Sequence, residues 1–249
     1  MQKAIRAIAV LLVVGFLFAL IIYNNMNPGK SDVNVWNEAM TLGNAETAEH
    51  VFYDYTDIMC PYCDKFALAM DAHLEDFKKE YAEEKKVFYE LRLTNLLASF
   101  HPGEESIVAN STNSAAAGYC AADQNKFWEW YGWILEKLNN DYFSKGIGDS
   151  ASAKQHIPKL DASYFTKVGD KIKDLDENKL SECIASDSTS ATVKKWTQKA
   201  AKVIQGGLPY YVFNSYVSPG FDGNWEVEHD WKNAKTMFEA GIASKTNKK

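Results

Sequence analysis

The stretch from residue 50 to residue 93 leaves this chain few folds to choose from. Residues 50–56 form a nearly continuous apolar and aromatic run, the pattern of a strand covered on both faces. Phe66, Met70, His73, Phe77 and Tyr81 then recur every three or four residues, which predicts an amphipathic helix ending near residue 84. Val87, Tyr89, Leu91 and Leu93 alternate with Phe88, Glu90 and Arg92, a strand signal. Strand, helix, strand is a βαβ unit with a right-handed crossover, and it sets an α/β class.

At the first junction of that unit stands Cys60-Pro61-Tyr62-Cys63. Cys60 falls at the helix N-terminus and Cys63 one turn further in. Unpaired N–H groups and the positive dipole end favour an anion there, so a thiolate at Cys60 is expected. A thiolate attacks disulfides, and a second thiol one turn away can resolve the product. The pair therefore reads as redox-active. Half a zinc site and a structural disulfide are the alternatives. Zinc needs four ligands, and the sequence has neither a second Cys-x-x-Cys nor a His-x-x-x-His.

The N-terminus bears on the compartment. Lys3 and Arg6 are the only charges before Lys30, and the run from Ala7 to Tyr23 is uncharged and apolar. It has about the minimum length for a membrane span. Charges placed before the span keep residues 1–6 cytoplasmic and send the rest out, so 7–23 reads as a signal-anchor. A cleaved signal peptide, giving a secreted protein, is the rival reading. Residues 24–40 read as a linker, Asn-, Gly- and Pro-rich up to Lys30, with Val33 to Leu42 forming either a short strand or a helix. The net charge of −6 argues against a nucleic-acid partner. Four cysteines are too few for a disulfide framework.

Residues 95–205 read as helical. Ser106 to Ala122 is rich in small residues, and Phe127, Trp130, Tyr131, Ile134 and Leu138 mark a second helix. Shorter helices are expected at 161–173 and 176–185, then one at 189–205 ended by Gly206-Gly207. Pro209 to Phe213 opens a hairpin over 209–222, and the last helix covers about 228–243. Trp128, Trp130 and Trp133 read as core, His73 as a helix-face residue and His101 as a loop residue. Met59 is read as an apolar rim beside the cysteines.

Three segments carry a family resemblance. Phe52-Tyr53-Asp54-Tyr55 with Cys60-Pro61-Tyr62-Cys63, Ala115 to Ala121 with Lys126-Phe127-Trp128, and Gly206-Gly207-Leu208-Pro209-Tyr210 resemble the DsbA-like thiol:disulfide oxidoreductases. The resemblance implies a thioredoxin-like fold (41–94 and 206–244) with an all-helical insertion (95–205), preceded by the transmembrane helix. It implies that Cys60 is the solvent-facing nucleophile and Cys63 the buried resolving thiol. Pro209 would be the cis-proline, with the Leu208 backbone pairing to substrate. Asp54 would be a buried acid that relays a proton to or from Cys63; a solvated Asp54 in a groove is the alternative. Some DsbA-like proteins carry a second, structural disulfide in the helical domain, which Cys120 and Cys183 would form here; two free thiols are the alternative. Tyr62 departs from the histidine of the best-known oxidant in the family. The resemblance further implies no metal or organic cofactor beyond the redox-active disulfide. It implies exported thiol proteins as substrates and a membrane quinone-linked reoxidising partner. Introduction of disulfides is the expected function; a reductase or isomerase, or a non-catalytic chaperone or binding module, are the alternatives.

Overall fold

The aromatic run at 50–56 lies in the middle of a five-stranded sheet. The computed structural model describes residues 33–148 and 155–246. The expected segments 1–6 and 7–23 lie outside them, and among the described residues no helix is long and apolar enough to cross a membrane. The strands are β1 (Thr41–Leu42), β2 (His50–Thr56), β3 (Val87–Leu93), β4 (Tyr210–Phe213) and β5 (Tyr216–Pro219), in the order β1-β3-β2-β4-β5. β2 and β3 are parallel, with His50 beside Val87 and Thr56 beside Leu93. The other neighbours are antiparallel.

The βαβ helix comes in pieces. α1 (Pro61–Ala72) begins with proline at a position where the missing N–H costs nothing. The backbone leaves helical geometry at His73, then α2 (Leu74–Phe77) and a π-helical stretch, Lys78–Glu84, complete the predicted span. The break has a tertiary cause. The His73 ring stacks on Trp231 at 4.9 Å and sits between Asp76 and Glu228.

One sheet face is aromatic. Phe52, Tyr211 and Phe213 meet Phe66 of α1 and Phe238 of the last helix, α9 (Val227–Thr246). α9 comes so close that a Cβ at Gly241 would lie 2.2 Å from the Phe213 ring. Alternation along β3 also holds, but its polar face is not solvated. Glu90 and Arg92 are buried. Arg92 Nε donates to Glu90 at 2.9 Å, and its guanidinium lies 3.4 Å from the Tyr53 ring centroid. The backbone N–H groups of Trp36 and Asn37 donate to the other Glu90 oxygen, and Trp36 stacks on Trp196 at 4.7 Å. A buried ion pair is tolerable only when its remaining donors and acceptors are satisfied in this way. Residues 33–40, the end of the segment read as a linker, are therefore part of the folded unit. A 3₁₀ turn, Glu38–Met40, leads into β1, so the ambiguous segment is both helix-like and strand.

Between β3 and β4 the described chain is helical: α3 (Leu96–Phe100), α4 (Glu105–Asp123), α5 (Phe127–Asp141), α6 (Ser163–Thr166), α7 (Glu177–Ile184) and α8 (Asp187–Ala200). Two boundaries depart from expectation. The 161–173 helix is cut to four residues and a 3₁₀ turn at Gly169–Lys171: the backbone leaves helical geometry at Lys167, with ψ 86°, and Gly169 takes φ +59°. α8 ends at Ala200 rather than at the glycines. The N–H groups of Val203 and Ile204 both close on the Ala200 carbonyl.

Cys120 of α4 and Cys183 of α7 are joined by a disulfide, with Cα atoms 5.8 Å apart. The two cysteines are 63 residues apart in sequence, and closing such a loop is worth about 4 kcal/mol in the chain-entropy account. Replacing both by alanine is expected to lower stability by about that amount, read as a lower urea midpoint at unchanged slope. An unchanged midpoint would show that the bond does not constrain the unfolded chain.

Candidate active site

The turn between β2 and α1 is fixed by a residue that sequence reasoning missed. Asp57 is fully buried, and its carboxylate accepts from the Met59 N–H (3.1 Å), the Leu97 N–H (3.0 Å) and the Ser111 hydroxyl (2.6 Å). It thereby ties the turn to α3 and α4 of the insertion. Its carbonyl accepts from the Cys60 N–H at 2.9 Å. The available sequence signal is an acid inside an apolar run directly before the cysteines.

Cys60 caps α1, with the N–H groups of Cys63 and Asp64 donating to its carbonyl at 3.0 and 3.1 Å. The cap places both thiols in the first helical turn. Cys60 and Cys63 are not bonded to each other or to any other cysteine. Burial pushes the Cys63 thiol well up, and the Cys60 sulfur beside it adds to the effect. The solvent-facing Cys60 that the resemblance implies is not what the structure has. Cys60 is only 4% exposed, and its thiol lies 3.8 Å from the Leu208 carbonyl oxygen. The Leu208–Pro209 peptide is cis. Two segments far apart in sequence thus meet at one sulfur.

The rest of the dipeptide region is more open. Tyr62 is exposed and lies beside Lys65, whose ammonium also faces the Trp225 ring and donates to the Gly223 carbonyl at 2.7 Å. Met59, expected on the rim, is fully buried and part of the core. His101 is paired with Glu104 on a loop. Trp130 is core, with Trp128 and Trp133 packed partly buried against it.

Asp54 is buried, not solvated in a groove. Tyr89 donates to its Oδ2 at 2.8 Å and its Oδ1 has no partner. Burial raises its pKa to about 7, against the opposing pull of the Tyr89 hydrogen bond. Asp54 and Cys63 both act on the buried hydroxyls of Tyr131 and Tyr211. A second acid, Asp64, lies directly after Cys63, where sequence pattern alone does not single it out. It is 1% exposed and neither oxygen has a hydrogen-bond partner. Among the described residues no group of three or more His, Cys, Asp or Glu side chains is placed to hold a metal.

A parallel strand, a Cys-x-x-Cys capping the next helix, a helical block and a cis-proline facing the first cysteine define a thioredoxin fold with a helical insertion. The chain belongs to the thioredoxin family, whose model matches residues 37–206. Comparison with curated protein sequences returns no match. Among solved structures, oxidised BdbD from Bacillus subtilis is 16% identical with a TM-score of 0.52, covering 82% of this chain and 92% of its own. The catalytic domain of Proteus mirabilis ScsC is 18% identical at 0.50, covering 83% and 92%. MdbA, a thiol-disulfide oxidoreductase from Corynebacterium diphtheriae, is 17% identical at 0.50, covering 76% and 88%. At these identities the likeness establishes the shared fold.

Proposed function

We propose that this protein is a thiol:disulfide oxidoreductase that introduces disulfides into exported proteins through Cys60 and Cys63. The observation that carries the reading is the pair of unbonded thiols in the first turn of α1, with Cys60 against the Leu208 carbonyl. The name of MdbA, a protein of the same fold, supports it. So does the Cys120–Cys183 bond, since stable disulfides belong to oxidising compartments.

In the oxidised protein a substrate thiolate attacks the Cys60 sulfur. The Cys60–Cys63 bond breaks, its electron pair stays on Cys63, and Cys63 takes a proton because burial disfavours its thiolate. Asp54 is the acid that supplies that proton. A second substrate thiolate then attacks the substrate sulfur of the mixed disulfide, and Cys60 leaves as a thiolate. The substrate has lost two electrons and the enzyme has gained them. A membrane quinone-linked partner returns the pair to the disulfide, and residues 7–23 hold the catalytic domain at the outer face of the membrane, with residues 1–6 on the cytoplasmic side. The folded unit divides into a thioredoxin-like part and the 95–205 insertion.

A reductase or isomerase reading has specific support. Tyr62 supplies no imidazole to stabilise a Cys60 thiolate, and Asp64 sets an acid beside it. Mixing the oxidised protein with a reduced, unfolded substrate separates these readings. Stoichiometric substrate oxidation is expected, with thiols appearing at Cys60 and Cys63. A reduction potential well below that of the glutathione couple would overturn the oxidant direction. No transfer in either direction would leave only a binding module. Fractionation should place the activity in the membrane with residues 1–23 intact; a mature chain starting after Tyr23 would overturn the anchor.

A further inference from the structure

Asp64 has no part in the exchange just described, yet it is built into the same helical turn. Its N–H closes on the Cys60 carbonyl, and its side chain is buried with both oxygens unpartnered. A carboxylate in that state is costly, and an apolar residue would fill the place at no such cost. Acids in a first helical turn are ordinarily explained by the helix dipole, but that account applies to solvated side chains.

We propose that Asp64 is a redox-linked proton site: it takes up a proton when the Cys60–Cys63 disulfide is reduced and releases it when the disulfide re-forms. The inference rests on the reading of Cys60 and Cys63 as the exchanging pair. In the disulfide neither sulfur is charged. In the exchange Cys60 leaves as a thiolate, and two like charges in one buried site cannot both be maintained. The proton goes to the carboxylate. The balance is closed by the substrate. A substrate dithiol gives up two electrons and two protons and becomes a disulfide. The enzyme disulfide and the Asp64 carboxylate become a Cys60 thiolate, a Cys63 thiol and an Asp64 carboxylic acid.

The groups around Asp64 permit this. Burial holds its carboxyl well above the usual carboxylate range, and the charge on Cys60 adds to the rise. On its own turn the titratable group that acts on it is Cys60. From α5 comes Tyr131, which senses Asp64, Asp54 and Cys63 together and is itself kept neutral by burial. Asp54 of β2 acts on Tyr131 and also on Tyr211 of β4. Lys65, the next residue, is engaged with Gly223 and the Tyr62 and Trp225 rings. Among the described residues no cation pairs with Asp64.

The test is the equilibrium of Cys60/Cys63 with glutathione, measured at a series of pH values for the wild type, Asp64→Asn and Asp54→Asn. Each proton bound on reduction changes the equilibrium constant tenfold per pH unit, about 30 mV for a two-electron couple. In the window above the ordinary carboxylate range, the wild type should be steeper than Asp64→Asn by up to that factor. Asp54→Asn should keep the Asp64 contribution. Identical slopes in the wild type and Asp64→Asn overturn the proposal and leave the exchange reading standing. Failure of Cys60 and Cys63 to equilibrate with glutathione at any pH overturns both. A second readout does not depend on the folding of Asp64→Asn. The redox-difference infrared spectrum of the wild type should gain a carboxylic-acid C=O band on reduction, one that survives Asp54→Asn. A reduced wild-type spectrum without that band overturns the proposal.

Discussion

Replacing Cys63 by serine should leave a protein that captures disulfide-bonded substrates and cannot resolve the mixed disulfide with a thiol of its own. Cys60 keeps its place at the cap of α1 and its contact with the Leu208 carbonyl, because neither depends on the Cys63 sulfur. Its thiolate can still attack a disulfide-bonded substrate: the substrate S–S bond breaks, one substrate sulfur leaves as a thiolate, and the other stays bonded to Cys60. No second thiol then stands one turn away to displace the substrate, and a buried hydroxyl cannot accept the disulfide. Turnover should fall to the buffer background while a covalent adduct accumulates, visible on a non-reducing gel and assigned to Cys60 by mass spectrometry. Cys60→Ser should show neither turnover nor adduct, since the remaining thiol at Cys63 is buried and held protonated. Turnover retained by Cys63→Ser, or capture by Cys60→Ser, would overturn the assignment of the two sulfurs. The pair of variants also distinguishes the enzyme reading from a chaperone reading, because a binding module would hold substrates with either cysteine replaced.

The signals legible in the sequence are local ones. The periods of β2, α1 and β3, and the position of the cysteines between strand and helix, need only a few neighbouring residues to be recognised. The helical block and the last hairpin follow from the same kind of pattern. What stays hidden is decided by partners far along the chain. Alternation in β3 separates two faces but does not say what covers each; Trp36, from a stretch that reads as linker, covers Glu90 and Arg92. Periodicity runs through His73 without a sign of the break, which Trp231 and Glu228 impose from the last helix.

The site divides in the same way. Cys60 and Cys63 stand out by spacing, whereas Leu208 and Pro209 are marked only by resemblance to a family. Asp57 and Asp64 escape notice because an acid beside a helix start usually caps it or is solvated. Their burial depends on α3, α4 and α5 closing over the turn. Cys60 reads as open for the opposite reason: its position at a helix start says nothing of the loop that returns against it.

Asp54→Asn should make the protein more stable at neutral and alkaline pH, and the sign follows from the raised pKa. An ordinary aspartate ionises near 3.8, while Asp54 in the folded protein ionises at about 7. Between those values the native state holds a proton that the unfolded chain has lost. Stability therefore falls as pH rises through this window, and the deficit persists above it. A carboxyl raised that far costs the folded state roughly 4 kcal/mol once it is fully ionised. Asparagine removes the titration while its amide oxygen can still accept from the Tyr89 hydroxyl, which now reaches the Asp54 Oδ2. Urea unfolding at constant redox state should show the two proteins equal near pH 4 and the variant ahead by up to about 4 kcal/mol near pH 8. A gap that does not change with pH would mean that the carboxyl is not perturbed. Some pH dependence should survive in Asp54→Asn, because burial raises Asp64 in the same direction. The wild type is thus less stable at neutral pH than its own packing would allow. That loss is the physical counterpart of a carboxyl that still holds a proton near pH 7, where a sulfur leaving as a thiolate needs one.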